Sequence, residues 1–272
     1  PLHLRAILGC GHKITAICDV DREKCKKVNA DFDLGAEEYV DYNELISSGK
    51  VDVVHVCTPH YLHAEIICKA LAAGIHVLSE KPLAVDFGQL GAIEKAVRNS
   101  AATLGVCFQN RYNSSVRYLK EFFKDKEIVA ATADLVWKRD AAYYASATWR
   151  GKKQYEGGGV MINQAIHTLD LLQWFCGMPK SVIAHCSNNS LKNVIDVEDT
   201  AYGCFKLKNG GNFIINATNS AASCFPIVLM FQSKTDMAEL SGDNLIINGK
   251  FVTKSDGAPL FGKEEWGVGH GK

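Results

Sequence analysis

Lys81 stands between a glutamate and a proline in Ser79-Glu80-Lys81-Pro82, directly after an apolar run. His167 lies in a second apolar stretch, eight residues beyond Gly157-Gly158-Gly159 and three before Asp170. An imidazole is neutral near pH 7 and can accept a proton during a reaction. An ammonium can hydrogen-bond an oxygen and stabilise negative charge growing on it, or act as a base where burial depresses its pKa. Taken alone, a histidine on an apolar helix is more often a core residue than a catalyst, so His167 needs a partner before it signifies chemistry.

The first hundred residues alternate apolar β-branched runs with helical stretches, the pattern of parallel strands joined by crossover helices. Strands are expected at 14–18, 51–57, 75–78 and 103–108, the second of them buried on both faces. Asp21 is placed to cap the helix that carries Arg22, Lys24, Lys26 and Lys27, and Asp41 with Glu44 forms a capping box. A helix over 61–73 ends at Gly74, and another spans 86–99. Beyond residue 108 the pattern changes to longer strands of a mainly antiparallel sheet, with two-residue hairpins expected at Asn209-Gly210 and Asn248-Gly249, and a few helices, including one over 160–175. The sequence therefore reads as an α/β protein of two domains, 1–108 and 109–272.

A dinucleotide-binding domain opens with a strand, a G-x-G-x-x-G turn and a helix whose N-terminus holds the pyrophosphate. Gly9 and Gly11 do not supply that turn, because the next strand begins within three residues of Gly11. They read instead as the end of a helix over 2–8, so the chain is taken to begin inside the first crossover helix, without the first strand and glycine loop. Asp19, ending the following strand, then stands where a carboxylate accepts hydrogen bonds from the adenosine ribose. It favours NAD over NADP, since it would repel a 2′-phosphate; its other reading is a turn residue.

Thirty basic residues balance thirty acidic ones, so nucleic acid and anionic membrane surfaces are not expected partners. No apolar run reaches the roughly 20 residues of a membrane span, and no signal-peptide layout opens the chain; a cytoplasmic protein is expected. The ten cysteines contain no C-x-x-C pair and read as small buried hydrophobes in a reducing compartment, with no metal site expected. The sequons at Asn113, Asn188 and Asn216 read as chance matches.

Taken together, Glu80-Lys81-Pro82 after a strand, Gly157-Gly158-Gly159 with His167 and Asp170, CTPHYLH at 57–63 and FQNRY at 108–112 resemble the Gfo/Idh/MocA family of sugar and inositol dehydrogenases. The resemblance implies an N-terminal Rossmann domain joined to a C-terminal α/β domain with a large, mainly antiparallel open sheet, and a homodimer or homotetramer built on that sheet. It implies that Lys81 and His167 face the reacting carbon, with His167 as base and Lys81 stabilising the oxygen. NAD contacts are implied at Thr58, Pro59, His60, His63, Glu80, Lys81 and Gln109, with His60 standing where the family pattern has asparagine. Asn163 takes the place of an aspartate found in many members and can hold a hydroxyl but not take a proton.

The segments 137–151 and 156–174 look closest to the branch acting on nucleotide-linked amino-uronic sugars. Arg139, Tyr143 and Tyr144 are then substrate contacts, and Trp149 and Arg150 reach the nicotinamide or the sugar. Asp170 is expected to be structural or to orient His167, Glu198 and Asp199 to be a solvated face or an ion pair, and Pro82 to shape its turn through a cis bond. Two rival readings keep the fold: an NAD-dependent glycosidase, and a sugar or nucleotide sensor without turnover. The end of the chain, 264–272, reads as stopping where relatives continue into a further helix.

Overall fold

The computed structural model of the chain describes residues 2–242 and 244–252, so the expectation for 264–272 lies outside the described residues. The chain folds as two compact units that divide between Cys107 and Phe108. In the first, α1 (Leu2–Gly9), β1 (Ala16–Cys18), α2 (Arg22–Phe32), β2 (Glu37–Tyr39), α3 (Tyr42–Ser47), β3 (Val53–Val56), α4 (His60–Ala72), β4 (His76–Ser79), α5 (Phe87–Arg98) and β5 (Leu104–Val106) follow one another. The caps are local chemistry: the carboxylates of Asp21, Asp41 and Asp86 accept the N–H groups of Glu23, Asn43 and Gln89, and Gly74 takes a positive φ past the end of α4.

All strand pairs of this unit are parallel, in two sheets, β1-β2 and β3-β4-β5. On the doubly wound order 3-2-1-4-5-6, β2 and β1 take positions 3 and 2, and β3, β4 and β5 take positions 4, 5 and 6. No described strand takes position 1. Ile66, Ile67, Ala70 and Leu71 of α4 pack with Val56, Val77 and Ile93 to form the core. The expected burial of 51–57 on both faces is not met: Val53 is 49% exposed and only Val56 is fully buried. The reason is position, since β3 is an edge strand of its sheet.

The second unit contains α6 (Ser114–Phe122), β6 (Ile128–Val136), α7 (Ala141–Ala145), α8 (Lys153–Glu156), α9 (Val160–Asn163), α10 (Ile166–Cys176) and seven further strands. These are β7 (Ser181–Ser187), β8 (Thr200–Lys206), β9 (Asn212–Thr218), β10 (Val228–Ser233), β11 (Met237–Ser241), β12 (Asn244–Ile247) and β13 (Lys250–Val252). They form one sheet in the order β13-β12-β11-β10-β6-β9-β8-β7, antiparallel except for the parallel pair β6-β9. Leu171 and Leu172 of α10 and Val116 and Leu119 of α6 share a core with Leu135, Phe213, Ile215 and Phe231 of the sheet. Val182, Ile183, Tyr202 and Ile214 stay exposed on β7, β8 and β9.

Three expectations are corrected here. The helix over 160–175 is broken into α9 and α10: Ala165 N–H reaches back five residues to the Val160 carbonyl, and the Gln164 side chain accepts from Asn219. At Asn248-Gly249 both residues have positive φ and close a two-residue hairpin, but Asn209-Gly210 sits in a five-residue connection between Lys206 and Asn212. There Asn209 bonds the Ile128 carbonyl of β6 with its side chain, so its local turn preference serves a longer link. The cysteines are not generally buried either: all ten are free thiols and only Cys25 is buried, because most lie at strand ends or on the open sheet face. No helix among the described residues is long and apolar enough to cross a membrane.

Candidate active site

The turn carrying Lys81 continues the parallel ladder past the end of β4. Glu80 N–H donates to the Val56 carbonyl (2.9 Å), and Cys107 N–H donates to the Ser79 carbonyl (2.8 Å), so residues 79–80 stay paired on both sides. Oε1 of Glu80 meets Nε2 of His3 at 2.8 Å, and Oε2 accepts the Lys81 N–H at 3.2 Å. The other ring nitrogen of His3 lies 2.9 Å from Nδ1 of His55 on β3. Burial disfavours charge on His3, but hydrogen bonds to Cys107, Cys57 and Glu80 hold its pKa up at about 12. Burial likewise pushes the Glu80 carboxyl up, and the His3 bond and charge with the Lys81 charge outweigh it, leaving it at about 2. His55, desolvated and facing the charged His3, falls to about 4. The chain His55–His3–Glu80 therefore holds one proton-borne charge beside one carboxylate.

The Lys81–Pro82 bond is cis, as expected. His63, 1% exposed, bonds the Pro82 carbonyl through Nδ1 (2.7 Å) and the Thr58 carbonyl through Nε2 (2.8 Å). With both ring nitrogens engaged, it braces the two segments together, a different role from the direct cofactor contact expected of it. Pro59 occupies the N-cap position of α4, and His60 is buried in its first turn.

Parallel α/β sheets take dinucleotides in the crevice at the carboxyl ends of their strands, and Asp19, Thr58 and Glu80 all lie at such ends. The Thr58 hydroxyl oxygen is buried there without a hydrogen-bond partner among the described residues. A buried hydroxyl left unsatisfied is costly, so this atom is suited to a ligand's polar group. Asp19 accepts the Asp21 N–H with one carboxylate oxygen (2.9 Å), which gives it the turn role as well. These residues fit a bound NAD.

In the second unit, His167 enters in the first turn of α10, with its ring edge-to-face against Phe108 at 5.9 Å. Gln109 is buried in the 3-10 turn Gln109–Tyr112 that follows Phe108. One residue of that segment had no assigned role: Arg111 makes a two-pronged pair with Asp170, Nε to Oδ2 at 2.7 Å and Nη2 to Oδ1 at 2.6 Å, and lies over the Phe108 and Trp174 rings. Asp170 is therefore structural, and its partner is Arg111, 59 residues away.

Tyr143 collects the other expected substrate residues. Its hydroxyl oxygen receives Arg150 Nη1 (2.7 Å), Gln164 Nε2 (3.2 Å) and Asn163 Nδ2 (3.5 Å), and the Arg139 and Arg150 guanidiniums lie 5.0 and 4.8 Å from its ring. Arg150 also covers the Trp149 ring. Tyr144 is buried and accepts from Asn219 at its hydroxyl, so it is a core residue and not a surface for substrate. Asn163 also donates to Glu156, a residue the sequence did not single out, which accepts the Gly151 N–H as well.

Glu198 and Asp199 are neither a solvated face nor an ion pair. The Glu198 carboxylate takes the N–H groups of Gly159 (2.9 Å) and Met161 (3.1 Å) at the start of α9, where an anion also complements the helix dipole. The Glu198 carbonyl takes the Val160 N–H. A β-carbon on Gly159 would collide with that carbonyl, which explains the third glycine of Gly157-Gly158-Gly159. Gly159→Ala is expected to cost about 1–3 kcal/mol through forced backbone displacement. An unchanged denaturation midpoint would refute this account of the close approach.

Residues 2–108 match the family described as "Oxidoreductase family, NAD-binding Rossmann fold", and residues 119–242 match the "GFO/IDH/MocA C-terminal domain". D-glucoside 3-dehydrogenase of Escherichia coli is 28% identical over 216 residues, which cover 73% of this chain and 60% of that protein. The WlbA dehydrogenase of Bordetella pertussis, solved with NADH and UDP-GlcNAcA, superposes with a TM-score of 0.83 at 28% identity, covering 88% of this chain and 74% of that one. A levoglucosan dehydrogenase solved with NADH shares the fold, with a TM-score of 0.87 at 21% identity over 98% of this chain and 83% of the other. The chain spans 60–64% of the length of two curated relatives, the glucoside dehydrogenase and the oxidoreductase YrbE of Bacillus subtilis.

Proposed function

Because the chain belongs to the Gfo/Idh/MocA family of oxidoreductases, we propose that it oxidises a secondary hydroxyl of an anionic, nucleotide-linked sugar, with His167 and Lys81 acting on the oxygen of that hydroxyl. Bound NAD supplies the hydride acceptor. His167 takes the hydroxyl proton, and the Lys81 ammonium donates a hydrogen bond to the same oxygen and stabilises charge developing on it. Asn163, in the position of a possible acid, has no proton to exchange and holds its place through Glu156 and Tyr143. Asp19 and Thr58 hold the cofactor, and Asp19 favours NAD over NADP by repulsion of a 2′-phosphate.

The reading rests on the Glu80-Lys81-Pro82 turn, held by Val56, His3 and His63 at the carboxyl end of β4, in the crevice such folds use for ligands. The anionic substrate is favoured by Arg139 and Arg150, which make no ion pair among the described residues yet share the Tyr143 ring. The exposed apolar residues of β7, β8 and β9 would seat a second copy in a homodimer or homotetramer. Ten free thiols suit a reducing, cytoplasmic setting.

The test is NADH formation, followed by its near-ultraviolet absorbance, with NAD and a panel of UDP-linked uronates, neutral UDP-sugars and free sugars. Net NADH with a uronate supports the proposal. Cofactor binding without NADH from any of them would overturn it and favour the sensor or glycosidase alternatives. Arg139→Ala and Arg150→Ala are expected to raise KM for the anionic sugar about tenfold to a hundredfold, as loss of a charge-assisted hydrogen bond does. The same variants should change KM for a neutral sugar far less.

A further inference from the structure

We infer that His3, Glu80 and Cys107 form a binding site for a borderline divalent cation, with Zn²⁺ as the best-matched ion. An imidazole nitrogen, a carboxylate oxygen and a thiol sulfur from α1, the turn after β4 and the residue after β5 lie within 4.8 Å of one another. The residues are 77 and 27 positions apart, so no spacing motif announces them. The donor set is that of zinc; calcium and magnesium take oxygen ligands.

Around a tetrahedral Zn²⁺ with bonds of about 2.0–2.3 Å, ligand atoms stand roughly 3.3–3.7 Å apart. The three ligand atoms already lie within 4.8 Å of one another, so small side-chain shifts would bring them to that spacing. The His3–Glu80 contact at 2.8 Å would open slightly as the ion replaces the proton between them.

Two features of bound-metal sites are already built. A ligating histidine usually has its other nitrogen held by a neighbour, and ligating carboxylates are themselves hydrogen-bonded. His3 has its second nitrogen against Nδ1 of His55, and Glu80 has its second oxygen on the Lys81 N–H. The side chains of His3 and Glu80 are 15% and 25% exposed, which leaves an ion a path and its fourth position a water. The site lies one residue from Lys81, but the inference does not depend on the dehydrogenase reading.

The test is titration of the reduced, chelator-treated chain with Co²⁺ as a spectroscopic stand-in for Zn²⁺, without NAD or sugar. One Co²⁺ per chain, a thiolate-to-cobalt band in the near ultraviolet, and displacement by Zn²⁺ are expected. Cys107→Ser should abolish the band, and His3→Gln and Glu80→Gln should each weaken binding at least tenfold; Cys224→Ser, in the second unit, should leave it intact. Circular dichroism of each metal-free variant separates loss of a ligand from loss of the fold, and if His3→Gln does not fold, Cys107→Ser decides alone. A band undiminished in Cys107→Ser, or none at millimolar Co²⁺, would overturn the inference. Because no turnover is measured, its failure is distinct from failure of the proposed activity.

Discussion

Lys81→Met is expected to lower kcat by about a hundredfold to ten-thousandfold, the range for removing a group that acts on a transferred proton or its oxygen, while NAD affinity stays nearly unchanged. The separation follows from local structure. The Lys81 backbone is held by the Glu80 carboxylate, and its neighbours by Val56 and His63, so truncating the side chain leaves the turn in place. His167→Asn should act similarly, since an amide fills much of the ring's space but takes no proton. If both groups serve one oxygen, the double variant should be little worse than the poorer single one, because residues acting as a unit are not additive. Steady-state NADH formation and a fluorescence titration of NAD measure the two quantities. Near-normal kcat in either single variant would remove that residue from the mechanism.

Asp199→Ala should cost the second unit about 3–5 kcal/mol, and lower its Tm by roughly 10 °C. Asp199 is fully buried, and its carboxylate takes the N–H groups of Asn189 (3.0 Å), Ser190 (2.9 Å) and Leu191 (3.2 Å) and the Thr200 hydroxyl (2.9 Å). Its backbone bonds Ser187 and Asn219 as well, so the residue ties the 188–191 segment to the start of β8 and the end of β9. Removal takes the charged acceptor from the Asn189 and Ser190 N–H groups, while the Leu191 N–H keeps the Asn188 side-chain oxygen at 3.2 Å. Burial alone would raise this carboxyl's pKa, but those hydrogen bonds outweigh it and hold it below the usual range.

A depressed folded-state pKa contributes stability that is complete above the unfolded-chain value of about 4. That stability is lost as pH falls through the lower folded value. The parent protein should therefore lose stability on acidification through that window, and Asp199→Asn should show a shallower dependence there. Denaturant unfolding at a series of pH values reads this directly, and identical slopes for the two proteins would contradict it.

Much of the first unit was legible in its residues. The carboxylates at 21 and 41 cap helices they precede by one position, Gly74 ends α4, and Asn248-Gly249 closes a hairpin. Each is a contact within about four residues, so the local sequence contains both partners. The errors have a common origin. Burial of β3 depended on its being an edge strand, the break after α9 on Asn219, and the Asn209 connection on Ile128 of β6. None of those neighbours is near in sequence.

The candidate site divides in the same way. Lys81 and His167 could be singled out because their motifs, Glu-Lys-Pro after a strand and a triple glycine before His-x-x-Asp, are contiguous and identify a family. The sequence alone thus determined the fold class and the cofactor class, and it singled out the residues proposed for the chemistry. Tertiary structure alone decided which charges meet: Arg111 with Asp170, His3 with Glu80 and Cys107, and Asp199 with three backbone donors. The physical reason is range. Backbone torsions and capping bonds are set by residues a few positions apart, but a buried charge is stable only beside whatever partner the packed strands and helices deliver to it.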